Sequence, residues 1–448
     1  MRKNPLANIS AKGGIITSEF LERIRVENVK HLGVLPEAFM VPGGDVPKNS
    51  KELNKMITEA WNDLQERWDS ISSRYHKMSI SDARTKWVIP LLRALGFDPN
   101  YNRQHVVIEE NKDLTFNLSH RGWYRKNAPI IHVVAPSQGL EERPKKERGK
   151  HHERSPHDEL QTYLNVNPNC KWGIVTNGIL FRILREFYHT TTKGYIEFDL
   201  ENIFLEKSFT DFRTLYRVAH ASRFLIDRER NCLLEQFYKE SVAAGVAIGE
   251  NLRKNVKRAI ETLGNGFMTS QLATDMISNG DLCKDYYSEI LRAIYRILFM
   301  LFAEQRAMLP TRNSLFVEEY SITRLREMVE MRQGNDKHHD LWEGLKVTFQ
   351  MIRRGCPPLG VFGYNGKLFD DSKIPIISNL SCKNEDILLT IQHLTLVEEE
   401  RVLKRINYLD LGVEELGAIY ESLLEFTPKV ASVETEVNGK LFQQEPFS

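Results

Sequence analysis

Apolar residues recur along this chain with two different periods, and the switch between them divides it. From Ser50 to about Ser73 the run ELNKMITEAWNDLQERWDSI puts Leu53, Ile57, Trp61 and Leu64 on one face of a helix with a charged back. SDARTKWVIPLLRALGF predicts a second helix, capped by Ser81 or Asp82, bent at Pro90 and stopped at Gly96. The period then shortens to two. QHVVIEE, TFNLSH, PIIHVVA, WGIVTNG, LFRILREF and YIEFDL read as strands, and SPHDELQTYLNV, a helix capped by Ser155, falls between the third and fourth. A helix, three strands, a helix and two or three further strands is the pattern of a three-layer α/β sandwich.

After about Leu200 the helical period returns and holds to about Glu425. ENLRKNVKRAIETLGNGF carries Leu252, Val256, Ile260, Leu263 and Phe267 at helical spacing, and DYYSEILRAIYRILFMLFAEQRAMLP ends at a proline stop. GCPPLGVFGYNGKLFDDSK, residues 355–373, reads as a surface loop between helices. The tail after Pro428 has no strong periodicity, and no internal repeat or low-complexity tract is read from the chain. The expected organisation is α+β and multidomain: a helical lead-in over residues 1–75, a three-layer α/β domain over 76–204, a mostly helical domain over 205–428, and a tail or linker over 429–448.

Bulk properties narrow the function classes. With 448 residues, 41% hydrophobic and 27% charged, the chain has the composition of an ordered globular protein. Sixty-one Lys+Arg against sixty Asp+Glu leave a net charge of +1, so any contact with nucleic acid must come from local basic patches. Cys170, Cys232, Cys283, Cys356 and Cys382 form no CxxC unit, which points to reduced thiols in a cytoplasm. The basic start MRKNPLANISAKGG lacks the apolar core of a secretory signal, and the greasiest run, ILFMLFA between Arg296 and Glu304, is too short to span a bilayer. A cytoplasmic protein with no membrane partner is expected.

Nucleases of the PD-(D/E)xK type share the helix, strand and crossover-helix layout seen here. Their chemistry needs two carboxylates for a hard divalent cation and a lysine that orients the attacking water. Asp113, before the second strand, could be the first acid, but the third strand offers Val134-Ala135-Pro136 where acid-x-lysine belongs. Glu109, Glu141, Lys145 and Glu159 are candidate replacements, each of which would have to rebuild ligand geometry from a loop or a neighbouring helix. A degenerate, inactive nuclease-like domain without a metal is the expectation.

Two basic patches are candidate phosphate contacts. Residues 141–155 carry Arg143, Lys145, Lys146, Arg148, Lys150 and Arg154 against four Glu. Arg253, Lys254, Lys257 and Arg258 lie together on the polar side of an amphipathic helix. For each patch the alternative is an ordinary solvated face. His151, His152 and His157 belong with the first patch more readily than with a metal site. GVFGYNGKLF does not fit a phosphate loop: Gly360 to Gly366 is one residue too long, and Leu368 stands where Ser or Thr is required.

Taken in order, SDARTKWVIPLLRALGF, SPHDELQTYLN, KWGIVTNGILFRILRE, YIEFDLENIF, ILRAIYRILFMLFAEQRAMLP and YLDLGVEELGAIYESLLEF resemble the N-terminal half of large type IIG-like restriction-modification methylases, which are adenine-specific DNA methyltransferases. The chain looks most like the long versions found in phage-defence operons, such as the DISARM methylases. The resemblance covers roughly residues 80 to 425 and rests on the order of the six blocks. It implies that a methyltransferase domain follows LGAIYESLLEF, with a glycine-rich loop for S-adenosylmethionine and an Asn/Asp-Pro-Pro-Tyr/Phe turn for a flipped adenine. This chain has neither; its one Pro-Pro, after Cys356, is followed by Leu359. No cofactor is therefore expected in this chain, whereas S-adenosylmethionine is expected for a full-length family member.

Three functions compete on these grounds. The first is a DNA-binding and scaffolding module for double-stranded DNA, the front half of a defence-system methyltransferase. The second is a metal-dependent endonuclease with relocated ligands. The third is an interaction platform for defence-operon proteins that never touches DNA.

Overall fold

In the computed structural model the chain divides into two compact units, the first ending at Ala244 and the second beginning at Gly245. The structure describes residues 6–446 except 27–30, 42–43, 45, 104–105, 109–110, 124–127, 144–153, 168, 189–192, 228–230, 365, 400–401, 409–410, 412–416, 420, 422–425 and 432–441; at 107–108, 111–114, 245–249, 398–399, 402, 404 and 443–446 it describes the backbone alone.

The first unit contains strands β1 (Ile9–Lys12), β2 (Asn100–Tyr101), β3 (Val106–Ile108), β4 (Asn111–Phe116), β5 (His120–Arg121), β6 (Ile130–Val133), β7 (Trp172–Thr176), β8 (Leu180–Arg185) and β9 (Tyr195–Asp199). Seven of them form one mixed sheet in the order β1-β9-β8-β7-β6-β5-β2, and β3 and β4 pair separately as a hairpin. Among the described residues only β6 and β7 pair in parallel, as expected of two strands joined by a crossover helix. The helices are α1 (Ser18–Arg25), α2 (Ser50–Ile71), α3 (Ile80–Ala83), α4 (Ile89–Ala94), α5 (Pro156–Val166), α6 (Leu200–Leu205) and α7 (Phe209–Ala219).

Strand alternation sorts side chains into two layers. Ile131, Val133, Ile174, Phe181, Ile183, Ile196 and Phe198 face a core shared with α1, α2, α4, α6 and α7. Ile130, Val175, Leu184 and Tyr195 face the other way, against Leu160, Tyr163 and Leu164 of α5. The sheet thus lies between α5 and a larger helical layer. Its outermost strand, β1, comes from the region taken from sequence as a lead-in, and the shared core continues through Phe224, Leu234 and Phe237. The sequence boundaries at 75/76 and 204/205 both fall inside this unit.

Local chemistry accounts for several element ends. The second helix is capped by Ser79, whose hydroxyl accepts from the Asp82 N–H, and not by Ser81 or Asp82. Pro90 does not simply bend it. A π turn, Arg84–Val88, precedes the proline, with the Ile89 N–H reaching back to the Arg84 carbonyl, so the wider turn falls where a proline ring would crowd a regular helix. The β7–β8 turn is held from the helical layer: the Tyr75 hydroxyl donates to the Asn177 carbonyl (3.1 Å) and Trp87 Nε1 to the Gly178 carbonyl (2.7 Å). Gly178, at φ +80°, lies so close to Tyr75 that a Cβ would meet the hydroxyl oxygen at 1.8 Å.

The second unit is helical around α8 (Leu233–Phe267, which begins in the first unit), α9 (Ser270–Ser278), α10 (Gly280–Gln305), α11 (Ser314–Glu319), α12 (Ile322–Met331), α13 (Asp340–Arg354), α14 (Pro375–Ser378) and α15 (Asn384–Thr395). The greasy run lies inside α10, and no helix among the described residues is long and apolar enough to cross a membrane. Three charged residues of α10 are nonetheless buried, each gripping the backbone of another segment. Glu289 accepts from the Ile376 and Ile377 N–H groups, Arg296 donates to the Leu368 and Asp370 carbonyls, and Glu304 accepts from the N–H groups of Ile322 and Thr323. Burial pushes both carboxyls above their ordinary range, even against those hydrogen bonds, and pulls Arg296 down to about 10.

Two segments depart from the helical expectation. Residues read as part of a helical run form a hairpin of β10 (Leu396–Glu399) and β11 (Val402–Arg405). In the tail, β13 (Phe442–Pro446) returns to pair with β12 (Phe426–Val430), so residue 428 lies within a paired strand. The 355–373 segment is packed rather than loose, with Leu359, Val361 and Phe369 buried.

Candidate functional site

The basic segment of residues 141–155 begins after the turn that follows β6 and ends at the N-cap of α5. Strand β6 ends at Val133, and a turn follows at Pro136, with the Gln138 N–H bonded to the Ala135 carbonyl. Val134 to Gln138, which follow the strand, include no carboxylate or lysine. The Gln138 amide then fixes the outgoing stem by donating to the Gly139 and Glu142 carbonyls. At the incoming stem Ser155 caps α5, its hydroxyl accepting from the Asp158 N–H, and Pro156 sits in the first turn, where its missing N–H costs nothing.

A buried arginine joins the two stems. Arg182 of β8 lies over the Tyr195 ring at 3.7 Å and ion-pairs with Glu197 of β9 and, at 3.1 Å, with Glu141 of the outgoing stem. It also donates to Nδ1 of His157, in the first turn of α5, at 3.0 Å. Lys193 bridges Asp158 (2.9 Å) and Glu141 (3.8 Å). Burial, reinforced by the charges of Arg182 and Lys193, pulls the His157 ring down to about 3. Against its own burial, Asp158 is held below the usual carboxylate range by the Ser155 hydroxyl and Lys193. The network has little chemistry left to offer, because Arg182 is held by Glu141 and Glu197, and Lys193 by Asp158 and Glu141. Its effect is mechanical: both stems are fixed on a rigid sheet, and one of the segment's four glutamates is tied to Arg182 and Lys193.

The sequence-selected residues distribute as follows. Arg143 and Arg154 are exposed on the two stems, and Arg154 pairs with Glu159 at 3.5 Å. Glu159 also accepts the Asn117 N–H at 3.1 Å, which gives this nuclease candidate a structural task. Lys145, Lys146, Arg148 and Lys150 lie outside the described residues, as do Glu109, His151 and His152; Asp113 lies in β4, where the backbone alone is described. Among the described residues no three His, Cys, Asp or Glu side chains gather as a metal-binding group. On α8, Arg253, Lys254 and Arg258 are exposed, whereas Lys257 is half-buried with its ammonium 4.7 Å from the Phe426 ring centre. Sequence reasoning missed Arg182 and Lys193. The one signal was an arginine inside the apolar run LFRIL.

The Pro-Pro pair and the glycine-rich stretch after it have structural roles among the described residues. Pro357 and Pro358 open a short 3-10 turn, Pro357–Leu359, closed by pairing of Cys356 with Val361, and the glycine-rich stretch after it packs on the helical core.

Fold and site together define an α+β chain whose seven-stranded mixed sheet carries a basic segment on two fixed stems. No family model matches the chain, and no curated protein or solved structure is significantly similar to it.

Proposed function

We propose that this chain is a DNA-binding and scaffolding region of an adenine-specific DNA methyltransferase from a restriction-modification or phage-defence system, built on a nuclease-like sheet that does not cut. The observation that carries the reading is the double anchoring of residues 141–155 by Arg182, His157, Ser155 and Gln138. Segments made only for solubility need no such framework, whereas phosphate contacts gain from cations held in register with a duplex. The parallel β6–α5–β7 crossover, flanked by antiparallel β5 and β8, supports the nuclease-like reading of the sheet. A neutral Val134-Ala135-Pro136 edge supplies no charge for a hard cation, which favours a scaffold over a working nuclease. Double-stranded DNA is the partner under this reading, and other defence-operon proteins would dock elsewhere on the chain.

The test is fluorescence anisotropy of a labelled duplex between about 50 and 200 mM salt. Weak, sequence-indifferent binding that falls steeply with salt is expected. Alanine at Lys145, Lys146 and Arg148 should flatten the slope by up to about 2.7, or about 0.9 for each phosphate no longer neutralised. No salt-dependent binding, or an unchanged slope in the variant, rejects the DNA role of this segment.

A further inference from the structure

The pentapeptide Asn-Gly-Lys-Leu-Phe occurs twice in this chain, at residues 365–369 and 438–442. Five residues are too few to register as a structural repeat, yet the two phenylalanines are used alike. Phe369 is buried and meets the Phe299 ring of α10 edge-on, the centroids 5.3 Å apart. Phe442, fully buried, meets Tyr286 of the same helix edge-on at 5.6 Å. In both places a helix side chain takes hold of the backbone next to the ring. Arg296 donates to the carbonyls of Leu368 and Asp370, and Asn265 of α8 donates to the Phe442 carbonyl (2.9 Å) while accepting from its N–H (3.0 Å).

The Phe442 seat is cut to the shape of a ring. A Cβ on Gly264 would stand 2.6 Å from the phenyl Cδ1, so only glycine leaves room there. The Tyr286 hydroxyl donates to the Gly264 carbonyl and fixes that wall, and the Tyr287 ring closes another side at 6.2 Å. Asn265 offers an amide edge as a neighbouring strand would, and β12 supplies a real strand for residues 442–446. One aromatic anchor, one bidentate amide and five residues of added strand are the elements by which sheet edges capture separate peptides. None of these contacts depends on a covalent link between β13 and β12.

We propose that the seat formed by Gly264, Asn265, Tyr286 and Tyr287 is a binding site for an extended, phenylalanine-anchored peptide, filled by residues 442–446 of the same chain and open to the same segment of a second copy. Because the internal segment is tethered, it competes at an effective concentration in the millimolar range. Exchange between copies therefore follows only when the internal segment is released, as in domain swapping.

A protease site inserted into the full chain between residues 431 and 438 makes the tether cleavable. After cutting, the C-terminal fragment is expected to co-elute with the body of the protein. An excess of a synthetic peptide of residues 438–446 should displace it, and the same peptide with Phe442→Ala should be at least tenfold less effective. Loss of the fragment on cutting, or equal displacement by both peptides, overturns the proposal. Should the insertion prevent folding, as judged by circular dichroism, the uncut Phe442→Ala chain decides. It should bind the fluorescein-labelled wild-type peptide at least tenfold more tightly than the native chain does, and equal binding or none overturns the proposal.

Discussion

Arg182 donates to Nδ1 of His157 at 3.0 Å, both residues lying within the first unit. A guanidinium has no acceptor, so this nitrogen must carry the lone pair and Nε2 the proton. Protonating the ring would set two donors against each other. In the unfolded chain the ring titrates near 6.5, but in the folded protein it is pulled down to about 3, by burial first and by Arg182 second. Between those values the unfolded state binds more protons, so the contribution to stability is complete above about pH 6.5 and is lost as the pH falls. Burial acts in the same sense on His120, lowered to about 4, and on His220, lowered to about 3. Calorimetric melting should show a loss of roughly 1 to 2 kcal/mol per ring near pH 5. His157→Gln should flatten that dependence; an unchanged pH profile in this variant would remove the neutral-ring account.

Arg253, Lys254, Lys257 and Arg258 of α8 should separate into two kinds. Arg253, Lys254 and Arg258 are exposed, so their replacement by alanine should leave the melting temperature almost unmoved and, if the helix meets DNA, reduce the salt slope. Lys257 lies against Phe426, and Lys257→Ala should cost about 0.5 to 1 kcal/mol of stability with little change in slope. The reverse pattern in paired melting and anisotropy measurements would show that the half-buried lysine is the phosphate contact.

Catalytic silence is the third expectation. Plasmid and oligonucleotide DNA should remain intact with magnesium and then manganese, and calorimetric titration with S-adenosylmethionine should give no specific heat. Cleavage abolished by Asp113→Ala would mean that a metal site has moved rather than died. A micromolar cofactor site would equally overturn the assignment of this chain as non-methylating.

Arg296 should be the most sensitive charged position of α10. It is fully buried, and its guanidinium satisfies two carbonyls of the 367–373 segment. Arg296→Met leaves those carbonyls without donors and should cost roughly 2 to 4 kcal/mol, with Arg296→Lys recovering only part because one ammonium cannot reproduce the planar fork. Limited proteolysis should then cut first between residues 355 and 374. Uniform destabilisation with no local cleavage would show that Arg296 supports the whole unit and not this segment.

Much of the fold is legible in the sequence because local period and burial agree. The stripe of Leu53, Ile57 and Leu64 becomes the buried face of α2, and five of the six β-rich runs contain a strand where it was expected, whereas TFNLSH straddles the end of β4 and the start of β5. Disagreements arise where tertiary partners decide. Leu396–Arg405 is rich in Glu, Lys, Arg and Leu, which suits a helix, yet it pairs as a hairpin. Ile9–Lys12 is too short to announce itself and becomes a strand through β9. The Arg182 network could not be read locally, since Glu141, His157, Lys193 and Glu197 converge only once the sheet and α5 are assembled. The exposed stem residues Arg143 and Arg154 were visible in advance, because a charge cluster between strand and helix needs no partner to be recognised.

The pairing of Ile9 with Phe198 also sets an order of events during synthesis. Strand β1 waits for the last strand of the sheet, and until Tyr195–Asp199 leaves the ribosome, Leu180–Arg185 has an open flank of unpaired amides and carbonyls. A nascent chain stalled before that point carries an adhesive edge and an unplaced leading strand, the combination that recruits chaperones or other chains. Release of a few more residues lets β9 cover the flank and gives β1 its place, so the window of vulnerability closes from both ends of the unit together.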